Sequence, residues 1–171
     1  MQYLMSALVW SDAQATEGRA VFRPTLALAG QGLELMLKAC MLWNGKSPPL
    51  KGPQGHAIQD FWEDEVCEPV RGNAFANAEV VAEELRLAGS NPSDKSLEGD
   101  LIELVDKYVA SLAGLHAAPY ELRYPGDPAT EGPRTPWFVR VLYRTADDFL
   151  KNPSDFKLRA FPGDLQVAHP G

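Results

Sequence analysis

The stretch LELMLKACMLWNGK, Leu33 to Lys46, sets Glu34 and Lys38 inside a run of leucine, methionine, cysteine and tryptophan. On a helix that advances about 100° per residue, Gln31, Glu34 and Lys38 fall within roughly 60° of one another, so the polar groups form one narrow stripe. Everything around that stripe is apolar or small, the pattern of a central helix packed on most sides. Gly30 and Gly32 let another element approach closely, at some cost in helix propensity. Glu34 and Lys38 stand at i and i+4 in the favourable order, and the simplest reading is a solvent-facing pair that supports the helix by a few tenths of a kcal/mol. Asn44-Gly45 is the stop signal at its end.

Working outward, Tyr3, Met5, Leu8, Val9, Trp10 and Ala13 recur at three- and four-residue spacings and predict a first amphipathic helix reaching to about Thr16. Arg23-Pro24 is the break before a second helix from about Pro24 to Trp43, because proline suits a first turn. The Gly/Pro-rich segment from Asn44 to Gly55 is a loop. A third helix opens near His56, turns Ile58, Phe61, Trp62 and Val66 inward, and ends at Pro69. A fourth spans Asn73 to Leu87, with Phe75, Val80 or Val81, Leu85 and Leu87 as its apolar positions. The fifth, Ser96 to His116, carries the stripe Leu97, Leu101, Leu104 or Val105, Tyr108, Leu112 and Leu115. A long irregular segment, Ala118 to Pro136, precedes a last helix with Phe138, Val141 or Leu142, Thr145 and Phe149 on one side. No strand alternation appears, so the expected fold class is all-α, an up-and-down bundle of about five helices. One bundle domain is expected over residues 1–151 and an irregular tail over 152–171.

Composition bounds the function classes. The 171 residues, 45% hydrophobic and 23% charged, form a globular composition. The formal net charge of -7 disfavours a broad phosphate-binding surface, which would need clustered Lys and Arg. Cys40 and Cys67 lack CxxC spacing, so neither a disulfide framework nor a zinc ribbon is expected, and free thiols in a reducing cytoplasm fit them. The first twenty residues have no basic n-region or cleavage site, and Glu34 and Lys38 interrupt the best apolar window, so no membrane association is expected.

Three separated pieces share a pattern: LELMLKACMLWNG, then GHAIQDFW from Gly55, then YELRYP up to Pro125. In this order they resemble the HEPN superfamily, small helical-bundle proteins with a Glu-Leu-x-x-Lys-like helix, a Gly-His entry to the next helix and an Arg-Tyr-Pro segment after a long one. The resemblance covers about Pro24 to Leu150. It implies a homodimer, a nucleotidyltransferase-type partner protein, an association with RNA or nucleotide, and a role in stress response or defence.

The ribonuclease members of that superfamily use an Arg-x4-6-His motif, where histidine suits proton transfer near neutral pH and arginine suits a phosphate. None of the three histidines here follows an arginine at that spacing, so the leading expectation is a non-catalytic interaction or nucleotide/RNA-associated module. The alternative is a divergent metal-independent ribonuclease in which His116 with Arg123, or His56, is catalytic. A third reading is a small-ligand pocket formed by Gln31, Glu34, Lys38, Arg123 and Tyr124. The structural role assigned to His56 is to tie the Gly/Pro loop to a neighbouring helix. Arg123 could pair with a bundle carboxylate such as Glu34. No Walker loop, HExxH, GxSxG or Glu-x-x-His pair occurs, and no metal or cofactor is expected.

Overall fold

A computed structural model describes residues 1–17, 22–88, 97, 99–117, 133 and 135–158. Among these the chain is all-α, with helices α1 (Gln2–Glu17), α2 (Phe22–Trp43), α3 (Ile58–Glu63), α4 (Glu68–Leu87), α5 (Leu101–Ala117) and α6 (Thr135–Lys151). Each of the six expected helical segments has its counterpart, one more than the expected total of about five, and the third is cut short at Glu63. Asp64 is extended (φ -63°, ψ 131°), and its carboxylate accepts from the Val66 N–H at 3.0 Å, capping a short 3-10 turn, Glu65–Cys67. Pro69 therefore opens α4 instead of ending α3: it sits in the first turn, where its missing N–H costs nothing.

α2 packs against α1, α3, α5 and α6, the central position its sequence predicts. Its C-terminus closes as a Schellman motif: the Lys46 N–H reaches the Met41 carbonyl at 2.9 Å and the Gly45 N–H that of Leu42 at 3.0 Å. Gly45 supplies the positive φ, 81°, that this turn requires. Asp100 caps α5 by accepting from the N–H groups of Ile102 and Glu103 at 2.9 and 3.1 Å.

The core is built from Leu26, Leu33 and Leu37 of α2, Ile58, Phe61 and Trp62 of α3, Val105, Val109 and Leu112 of α5, and Phe138, Val141 and Leu142 of α6. Each such side chain contributes about 1.5–3 kcal/mol by leaving water. Polar tips are matched where they enter: Trp62 Nε1 donates to Asp106 at 2.8 Å and Trp137 Nε1 to the Ala78 carbonyl at 3.2 Å. Between α4 and α6, Asn77 donates to Asp148 at 2.9 Å and to the buried Thr145 hydroxyl at 3.4 Å. After α6, the chain stays against the bundle as far as Leu158. Phe156 is buried, and Asn44 both donates to its carbonyl at 2.9 Å and accepts from the Leu158 N–H at 3.0 Å.

Two expected apolar faces are placed in part differently. α4 buries Val70, Ala74, Ala78, Val81 and Ala82 and packs Phe75 and Leu85 against the core as expected, while Leu87 is exposed. In α1 the residues turned inward are Leu4, Ala7 and Ser11, and Tyr3, Met5, Val9 and Trp10 are all exposed. The three- and four-residue spacing of those large side chains is real, but it marks an outer face.

α2 from Arg23 to Trp43 is long and apolar enough to cross a membrane, by length and composition, and 61% of that window is buried inside the bundle.

Candidate functional site

The polar stripe of α2 is interior. Glu34 is 2% exposed and Lys38 9%, so the pair expected to face solvent is enclosed, because α3, α5 and the Gly/Pro connection close over that side of α2. A lone carboxylate there would be costly; Glu34 is instead held by three partners. Its Oε1 accepts from Lys38 Nζ at 2.6 Å. Its Oε2 lies 3.0 Å from His56 Nδ1 and 2.8 Å from His116 Nε2. Burial opposes ionisation of Glu34, and the hydrogen bonds from Lys38, His56 and His116 outweigh it, holding the carboxyl below its ordinary value of 4.5.

Each partner is positioned by a specific feature. Lys38 is one turn beyond Glu34 on α2, with its ammonium 5.8 Å from the centre of the Phe61 ring. His56 ends the 3-10 turn Pro53–His56, two residues before α3, instead of opening that helix. The preceding Gly55 is buried, and a Cβ there would lie 3.0 Å from the Leu50 carbonyl carbon, so a side chain at this place would crowd the loop where it folds back on itself. His116 comes from the last turn of α5. Its ring fits against α2 because residue 30 is glycine: a Cβ on Gly30 would meet His116 Nδ1 at 2.8 Å. The second glycine of that pair works on the other flank, where a Cβ on Gly32 would meet Leu4 Cγ of α1 at 2.5 Å.

The two imidazoles are edge to face with centroids 6.2 Å apart. The His116 side chain is 11% exposed and that of His56 55%, so the cluster has a buried end and an open one. One ligand-capable atom from each of Glu34, His56 and His116 lies within 4.8 Å of the other two. The cluster thus offers an ammonium at one oxygen and two imidazoles at the other oxygen of an ionised carboxylate, groups suited to proton transfer or to holding a cation.

Of the residues singled out from sequence, four meet here: Glu34, Lys38, His56 and His116. Their spacing of 22 and 82 residues from Glu34 to the histidines hides the association from any local motif. Gly30 was the available signal, since it lies on the polar side of α2 and marks where a bulky ring must be admitted. Gln31 is half-buried at the border of the stripe. Arg123 and Tyr124 lie outside the described residues, as does the irregular segment 118–132.

A second feature lies on another face of the same helix. A cavity of about 550 Å³ between α1, α2 and α6 is lined by Met1, Leu4, Leu35, Leu42, Trp43 and Leu150, together with smaller or more deeply set apolar residues. No lining side chain among the described residues is ionisable. Leu35, Leu42, Trp43 and Leu150 are between 41% and 65% exposed, and Met5, Val9 and Trp10 on the outer side of α1 are exposed as well. Cys40 and Cys67 are free, fully buried neighbours; donating its S–H to Cys40, and then burial, pushes the Cys67 thiol up, so it stays protonated.

No protein-family model matches this chain, and neither does any curated protein or solved structure.

Proposed function

We propose that this chain is a HEPN-like, non-catalytic interaction module that self-associates as a homodimer through the apolar face of α1, α2 and α6. The observation that carries this reading is the exposed apolar patch around Leu35, Leu42, Trp43 and Leu150, with the Lys157 ammonium set over the Trp43 ring. Contiguous apolar surface rich in aromatic and methionine side chains marks interfaces, and charged residues are depleted at interface centres. Two copies that each carry -7 repel over most of their surface, so a mainly apolar face without acidic lining is where they can meet. A two-fold dimer would place α1 of each copy over the other's groove, with both copies using the same patch. The order of the sequence pieces around Glu34, His56 and Arg123 supports the HEPN-like assignment, and RNA or nucleotide association and a nucleotidyltransferase-type partner follow from that assignment alone.

The test is sedimentation equilibrium on the full chain and on Leu42→Glu and Leu150→Glu. A dimer that both substitutions dissociate supports the reading; a monodisperse monomer at high concentration removes it.

A second reading is favoured by one observation, the convergence of His56 and His116 on Glu34. A buried and an open imidazole oriented by one carboxylate can serve as acid and base in phosphodiester cleavage, which would make the chain a divergent metal-independent ribonuclease. Labelled tRNA and single-stranded RNA incubated with the wild type and with His116→Ala decide it: cleavage must occur and must be lost in the variant.

A further inference from the structure

We infer that Glu34, His56 and His116 form a binding site for one divalent transition-metal ion of the zinc class. Ligands at about 2.0–2.2 Å from such an ion sit roughly 3.0 Å apart when cis in an octahedron and about 3.4 Å apart in a tetrahedron. Glu34 Oε2 is 3.0 Å from His56 Nδ1 and 2.8 Å from His116 Nε2, separations that serve a hydrogen bond and a shared ion almost equally well. All three ligand atoms fall within 4.8 Å of one another, so only a small closure brings them onto one ion. His56, on the connection before α3 and half exposed, is the side chain placed to make it.

The donor set is chemically specific. Two imidazoles and one carboxylate suit zinc and its first-row neighbours better than calcium or magnesium, which take oxygen ligands. Three protein ligands leave at least one position open, and the open end of the cluster is the His56 side. Lys38 occupies Oε1 and leaves Oε2 for the ion, which fixes the carboxylate as an outer-shell partner does in established sites. Gly30 keeps the His116 ring against α2, so that Nε2 and not Nδ1 faces the carboxylate.

Binding exchanges protons for the ion. In the hydrogen-bonded state each facing nitrogen carries a proton; to ligate, a neutral ring moves that proton to its other nitrogen and a cationic ring releases it. Metal ligands must be free of protons at the ligating atom, so acid opposes uptake. This site uses a different face of α2 from the self-association surface, and the two stand or fall separately.

The experiment titrates chelator-treated full-length protein with Zn²⁺ and, in parallel, Co²⁺, following heat and the visible absorption of bound cobalt. One equivalent per chain is expected, with a cobalt spectrum free of thiolate charge transfer. His56→Ala, which alters a half-exposed loop side chain, should bind at least tenfold more weakly while its circular dichroism and thermal midpoint without metal stay close to wild type. His116→Gln and Glu34→Gln should lose binding as well, and Lys38→Met, which leaves all three ligands, should weaken it less than His56→Ala does. No stoichiometric binding, affinity unchanged in His56→Ala, or a thiolate band that assigns the ion to Cys40 and Cys67 overturns the inference.

Discussion

Two faces of α2 meet opposite fates. On one, Glu34 and Lys38 are enclosed and every charge has a partner within hydrogen-bond distance. On the other, Leu35 and Leu42 lie open beside Leu150, and Trp43, 41% exposed, is covered among the described residues only in part, by the Lys157 ammonium 4.6 Å from its ring centre. The usual arrangement of charge outside and hydrocarbon inside is reversed on a single helix. Such a reversal is stable when the buried charges are mutually satisfied, and it leaves the exposed apolar surface as a free energy of association not yet realised.

The comparison breaks first at Glu34. Glu34→Ala leaves the Lys38 ammonium buried without its counter-charge and should destabilise the fold by about 3–5 kcal/mol in urea unfolding. The double variant Glu34→Ala with Lys38→Met should be more stable than the single one, because no orphaned charge remains. A single variant that costs under about 1 kcal/mol would mean that water reaches the pair and that the two faces are alike after all.

Gly32 tests the seam between the faces. Its missing Cβ admits Leu4, which is fully buried, so Gly32→Ala should cost about 1–3 kcal/mol by overpacking despite the gain in helix propensity. Acid sharpens the contrast further. Because the folded-state carboxyl of Glu34 is held below 4.5, its contribution is present above that pH and is lost as the pH falls through the lower folded value. The stability advantage of the wild type over Glu34→Gln, measured by thermal unfolding, should therefore shrink as pH drops below about 4.5 and be level at neutral pH. At the small end, Arg144→Ala removes an exposed ion pair with Glu84 and should shift stability by no more than about 1 kcal/mol.

How much of this was legible in the sequence differs from helix to helix. Period-3.6 patterning and the Asn44-Gly45 stop located α2 and its end, since both depend on local chemistry. The boundary between α3 and α4 lies earlier than expected because Pro69 can end one helix or begin the next, and only the capping by Asp64 shows which. α1 was read as amphipathic from Tyr3, Met5, Val9 and Trp10, yet periodicity reports that a face exists and not whether a neighbour covers it. In α4 the inward face is mostly alanine, which gives a weak signal beside an exposed Leu87. The site was visible residue by residue, as Glu34, Lys38, His56 and His116, but their meeting is a tertiary event. The simplest reading of the Glu34–Lys38 pair as solvent-facing failed for the same reason: burial is decided by α5 and the Gly55-His56 loop, far away in sequence.

The tryptophans fall on the same divide. Trp62 and Trp137 are 2% exposed, Trp10 is 44% and Trp43 41%. The molecule therefore carries a built-in pair of optical probes for each region. Fluorescence from the interior pair is expected to change only when the fold opens, while emission from Trp10 and Trp43 shifts to the blue when something dry settles over α1 and the groove. Quenching by iodide should likewise reach only the outer pair, so light alone can separate unfolding from docking without a label or a substitution.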